Sequence, residues 1–152
     1  MANHPEKFDS GLIVANPKIF LPWRASKDEI LALTNEIQIV REDYYTLKVS
    51  LLDIPFVEYI GLDFEGNRLS KIRLLYQPKN TMGGSLLDIF NSHQTILEQC
   101  FGKPPRQSTI SRFFTQMNKG DVEYRWQFKR VTVIHKIWDR FGLQEDLEIH
   151  IK

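Results

Sequence analysis

One stretch, Ser85 to Pro105, limits the folds open to this chain. Ser85 can accept from the first free N–H groups of a helix, and Asp88, three residues on, completes a capping-box pattern. Leu86, Ile89, Phe90, His93, Ile96, Leu97, Cys100 and Phe101 recur at helical spacing on one face. Asp88, Asn91, Ser92, Gln94, Glu98 and Gln99 take most of the other face. Gly102 supplies a left-handed stop, and Pro104 and Pro105 bar continuation. The apolar stripe is broad, and no other helical pattern is long enough to pair with it. A sheet is the surface left to bury it. The predicted fold is therefore α+β: a largely antiparallel sheet with two main helices packed on one face, in a single domain.

The remaining segments supply the sheet. Residues 1–10 read as a flexible tail and residues 11–152 as the domain. Gly11 to Ala15 forms a short strand, and Ile19 to Trp23 an edge segment around Pro22. Ser26-Lys27-Asp28-Glu29 is a capping box, and Ile30, Leu31, Leu33, Thr34 and Ile37 extend it into a helix of about three turns. Tyr44–Leu52, Val57–Phe64 and Leu69–Tyr76 alternate as strands. Parity favours a three-residue turn, Glu65-Gly66-Asn67, with Asn67 left-handed, pairing Leu62 with Ser70 and Ile60 with Ile72. Residues 106–121 fit either a short helix through Ile110, Phe113, Phe114 and Met117 or a strand turning at Asn118-Lys119-Gly120-Asp121; the first leaves fewer residues unexplained. Val122–Phe128 and Val131–Ile137 alternate around a tight turn at Lys129-Arg130, which sets Trp126 opposite Val133. Arg140–Asp146 reads as a turn and Leu147–Ile151 as the closing strand.

A chain of 152 residues with 42% hydrophobic content can close a core without staples. Its one cysteine, Cys100, forbids an internal disulfide and suits a reducing compartment. No apolar leader opens the chain, and no window approaches the ~20 apolar residues of a membrane span. The expected location is cytoplasmic. The net charge of +1 is unevenly spread. Residues 1–102 hold ten Lys and Arg against thirteen Asp and Glu, a balance of −3, whereas residues 103–141 hold nine against three, a balance of +6. The basic residues of that stretch alternate with core residues, the pattern of solvated strand faces rather than of a nucleic-acid surface.

No motif names a reaction. His4, His93, His135 and His150 lack zinc spacing. No G-x-S-x-G or P-loop exists, and Met82-Gly83-Gly84-Ser85 reads as a flexible entry to the helix. His93 falls on the apolar stripe, and strand parity puts His135 on the face of Tyr124 and Trp126. Both read first as satisfied core histidines and second as the walls of a pocket between sheet and helix. Trp23, Tyr44, Tyr45, Arg106, Arg112 and Phe114 are large residues with no assigned buried face, and types that anchor interfaces.

The C-terminal half supplies a resemblance. Phe101-Gly102-Lys103-Pro104 closes the helix, Tyr124-Arg125-Trp126-Gln127-Phe128 and Val131-Thr132-Val133-Ile134-His135 follow as strands, and Asp139-Arg140-Phe141-Gly142 leads to Leu147-Glu148-Ile149. This layout resembles small bacterial α+β immunity proteins of polymorphic and contact-dependent toxin systems. The resemblance implies a cytoplasmic, non-catalytic protein that binds and blocks one toxin domain, with no cofactor. It carries over no functional residues. The alternative from the residues themselves is a small-ligand or enzymatic domain with its pocket at His93 and His135.

Overall fold

The computed structural model describes residues 8–77, 85–105, 122–139 and 143–152. Among these the chain runs β1 (Gly11–Val14), β2 (Ile19–Pro22), α1 (Lys27–Leu31), β3 (Gln38–Arg41), β4 (Tyr44–Lys48), β5 (Tyr59–Glu65), β6 (Arg68–Leu75), α2 (Leu86–Phe101), β7 (Val122–Gln127), β8 (Val131–Asp139) and β9 (Leu143–Ile151). β1 and β2 form a hairpin across a cis Asn16–Pro17 bond. The other seven strands lie in the order β3-β4-β5-β6-β9-β8-β7, and every pairing is antiparallel. The architecture is α+β and mainly antiparallel, as the alternating strands predict.

Helix α2 begins and ends where its caps place it. Ser85 Oγ accepts from the Asp88 N–H at 3.3 Å, and the Asp88 carboxylate accepts from the Ser85 N–H at 3.3 Å. Gly102 stops the helix at φ +83°, and its carbonyl accepts from the Trp126 indole at 2.8 Å. The helix lies against β8 and β9, burying Phe90, His93, Gln94 and Leu97. The β7–β8 register sets Trp126 opposite Val133 and Tyr124 opposite His135, as the tight turn requires.

Four expectations are corrected. The first helix stops at Leu31 rather than near Ile37. The Glu36 N–H donates to the Thr34 hydroxyl at 3.2 Å, a local turn that competes with helix, and Ile37 then leads into β3. The β5–β6 hairpin turns on Gly66-Asn67 alone, with Gly66 at φ +62°. A bulge at Ser70 then absorbs the odd residue, so Ile60 faces Leu74 and Leu62 faces Ile72. The apolar rows align, but by a bulge and not by a longer turn. β9 starts at Leu143, which moves Glu145 from a turn into a strand between β6 and β8. Finally, Phe8 belongs to the core and not to a tail. It is 2% exposed, its ring 5.3 Å from Trp23, 5.2 Å from Phe101 and 5.0 Å from Phe128. The alternative readings of residues 108–118 lie outside the described residues.

Gly61 shows how closely β4 and β5 pack. A Cβ there would lie 2.4 Å from the Tyr44 hydroxyl oxygen and 2.8–2.9 Å from two of its ring carbons. Gly61→Ala must displace that ring, which also carries the guanidinium groups of Arg41 and Arg73 at 5.5 and 5.7 Å. The expected loss is about 1–3 kcal/mol in urea denaturation, against the small gain that Gly→Ala brings in an unobstructed strand. A gain would show that the ring swings away freely.

Candidate functional site

Four elements converge on one carboxylate. Helix α2 presents His93 and Gln94 to the sheet, β8 presents His135, β9 presents Glu145, and Tyr76 follows the end of β6. Glu145 Oε1 lies 2.8 Å from His93 Nδ1 and 2.7 Å from His135 Nε2, and the Tyr76 hydroxyl donates to Oε2. The far side of His135 is tied as well: Nδ1 lies 2.7 Å from Gln94 Oε1, and Gln94 Nε2 donates to Glu98 at 3.1 Å. Aromatic rings enclose the group. Phe56 stacks on His93 with centroids 3.7 Å apart, and Phe90 stacks on His135 at 4.1 Å. The side chains of His135 and Glu145 are 0% and 3% exposed.

Burial raises the proton affinity of the Glu145 carboxyl, but the hydrogen bonds from His135, His93 and Tyr76 outweigh it and bring the group down to about 2. Burial pushes the His135 imidazole down, with the Glu145 carboxylate pulling it part of the way back. The Tyr76 hydroxyl is raised, by burial first and then by the carboxylate it donates to. The way round of the Gln94 amide and the proton count of His135 are tied to each other. With its amide nitrogen on Glu98, its oxygen faces Nδ1 and requires a proton there, while Glu145 requires one on Nε2. That pattern belongs to an imidazolium. A neutral ring is satisfied once the Gln94 amide turns over to donate to Nδ1.

Both nitrogens of His135 are thus committed, and no solvent reaches the ring. The cluster fastens α2 to β8 and β9. Its Tyr76–Glu145 end borders a groove of about 320 Å³ lined also by Leu74, Leu86, Gln144 and Asp146. Among the described residues no group of three His, Cys, Asp or Glu is arranged to hold a metal ion, and no helix is long and apolar enough to cross a membrane.

The sequence names His93 and His135, and the structure joins them through a residue it passed over. Glu145 hides in a stretch read as a turn. The available signal is parity: Glu145 lies two residues before Leu147 and four before Ile149, on the core row of β9. Two of the residues proposed as partner anchors are corrected. Trp23 is 7% exposed, its indole donating to the Phe8 carbonyl at 2.7 Å, and Tyr45 is 5% exposed, packed on Phe64. Both are largely buried. Tyr44 is half-buried over Gly61. Arg106, Arg112 and Phe114 lie outside the described residues.

The exposed apolar surface is elsewhere. β3 is an edge strand with every residue exposed, and Ile39 and Val40 are 60% and 57% open. Ile39 pairs with the buried Tyr45, so the core ends under β4 and leaves β3 projecting. Val40 is the extra residue of a bulge. Residues 27–43 hold five acids, all exposed (Asp28, Glu29, Glu36, Glu42 and Asp43), against Lys27 and Arg41, a balance of −3. Compared with known family models, curated proteins and solved structures, the chain matches none.

Proposed function

We propose that this chain is a non-catalytic protein-binding domain of the immunity type, which takes a basic partner domain on the β3 edge. The observation that carries this reading is Ile39 and Val40, exposed on an edge strand within an acidic stretch. Monomeric proteins blunt such edges with lysine, proline or cover; here only a short length and one bulge do so. An edge strand offers main-chain hydrogen bonds to an incoming strand, and flanking apolar side chains add pockets of contact. The exposed acids favour a positively charged partner and speed its approach. The resemblance to immunity proteins agrees with this reading, and makes the partner a toxin domain.

The test compares wild type with Ile39→Asp/Val40→Asp as bait in cells of the source organism, followed by purification of any retained protein and measurement of its Kd. Exposed substitutions of this kind leave folding within about 0.5 kcal/mol of wild type. A basic domain retained by wild type, bound at least about 30-fold more weakly by the variant, and toxic unless this chain is co-expressed supports the proposal. A partner held equally by both proteins removes β3 from the interface. A second reading, a small-ligand site, has the groove beside Tyr76 and Glu145 in its favour. Its mark is a metabolite whose binding is lost in Tyr76→Phe and unaffected at β3.

A further inference from the structure

Three segments far apart in sequence bring basic side chains around one concavity of about 420 Å³. Arg24 comes from the turn between β2 and α1, Lys129 and Arg130 from the β7–β8 turn, and Lys152 from the end of β9. Trp23 and Ile151 add to the lining, and among the described residues no carboxylate side chain takes part in it. We propose that this concavity is an oxyanion site for a phosphate group carried on a small soluble molecule. The inference is independent of the β3 reading.

Like charges held together without counter-charge raise the local potential, and concave walls focus it. Lys129 and Arg130 have no ion-pair partner among the described residues. The other two cations are positioned but not used up. The Arg24 guanidinium donates to the Lys152 main-chain oxygen, through Nε at 2.8 Å and also through Nη2. Lys152 Nζ donates to the Phe128 carbonyl at 2.6 Å. Guanidinium and ammonium groups carry five and three donors, so each keeps donors for a ligand. These bonds to main-chain oxygens fix the two heads. Arg24 is the one non-glycine residue at positive φ among the described residues, at +63°, and Arg68 Nη1 holds its carbonyl at 3.2 Å. Side chains rarely adopt that backbone conformation, and it clusters at ligand sites. Here it turns Arg24 out of line with the buried Trp23 and Ala25 on either side of it. A phosphate would find a bidentate guanidinium fork and ammonium donors together. The volume exceeds what one phosphate needs, and Trp23 and Ile151 offer apolar contact to the remainder of the molecule.

The full chain is titrated with inorganic phosphate and pyrophosphate at about 0.1 M NaCl, following the amide resonances of Lys129, Arg130 and Ile151. The expected result is saturable, localised shifts, tighter for pyrophosphate. Lys129→Ala/Arg130→Ala should weaken binding at least about tenfold, and Lys48→Ala, an exposed lysine on β4, should leave it unchanged. Unchanged thermal midpoints establish that both variants fold. Shifts that sodium chloride reproduces at equal ionic strength would overturn the proposal, as would binding that survives the double substitution. Capture by vesicles of phosphatidylcholine with phosphatidic acid, without any response to soluble pyrophosphate, would replace it with a lipid headgroup site.

Discussion

Glu145→Ala is expected to cost about 3–5 kcal/mol of stability at pH 7. The carboxylate accepts from His93, His135 and Tyr76, with its side chain 3% exposed, so its removal strands three donors in the interior. The same variant changes the acid limb. Folding holds the carboxyl near 2 instead of its ordinary 4.5, so its contribution is complete above pH 4.5 and drains away as pH falls towards 2. That difference is worth about 3 kcal/mol. His135 acts in the same direction, because burial lowers its imidazole from 6.5: the folded state is favoured above pH 6.5 and loses ground below it. Urea midpoints of the wild type should therefore hold from pH 8 to 6.5, decline gently to 4.5 and fall steeply below. In Glu145→Ala the steep limb should flatten. Parallel acid limbs in the two proteins would place the acid-sensitive group elsewhere.

Phe90→Ala should cost a comparable 3–5 kcal/mol, because the ring is 1% exposed and leaves a cavity when truncated. Its second effect separates it from an ordinary core deletion. Phe90 lies face to face with His135 at 4.1 Å and forms part of the wall that keeps water out. With that wall gone, the imidazole should titrate closer to its ordinary value, since burial is the chief cause of its depression. Phe90→Leu keeps the site dry and should leave the titration where it is. Ring ¹⁵N shifts of His135 followed from pH 8 to 4 make the comparison. Equal titration in Phe90→Ala and wild type would show that the depression comes from groups other than this ring.

These two variants probe parts of the molecule that differ in how openly the sequence displays them. Helix α2 is legible to the residue because its signals are local: a hydroxyl at the N-cap, a carboxylate three residues on, a glycine at the stop. The strands and the Trp126–Val133 register follow from alternation. What alternation cannot convey is a compensation between two irregularities. The two-residue Gly66-Asn67 turn looks wrong until the Ser70 bulge restores the phase, and the bulge leaves no mark in a count of apolar residues. The β3 edge is hidden differently: Ile37 looks like the end of a helix until Thr34 caps the turn before it, and no alternation marks Ile39 and Val40 as a strand. In the histidine cluster the two imidazoles are visible as polar residues at apolar positions. Their common partner is not, because a carboxylate between Gln144 and Asp146, just after Gly142, reads as solvent-facing. Trp23 shows the converse error, since a large aromatic beside a proline suggests an anchor but fills the core against Phe8.

The place of β9 sets the order in which this molecule can be made. β3 to β6 is a meander of sequence neighbours, and β7 with β8 is a hairpin; each can pair as soon as its own residues are available. Among the described residues they join through β9, which inserts between β6 and β8. During synthesis the inner edge of β6, with Ile72 awaiting Ile149, stays open until those final residues emerge. Helix α2 has neither Glu145 nor Leu147 to settle on before then. Assembly is therefore governed by contacts of long sequence separation, which slows folding and leaves a nascent chain with an unpaired interior edge that chaperones and neighbouring chains can reach.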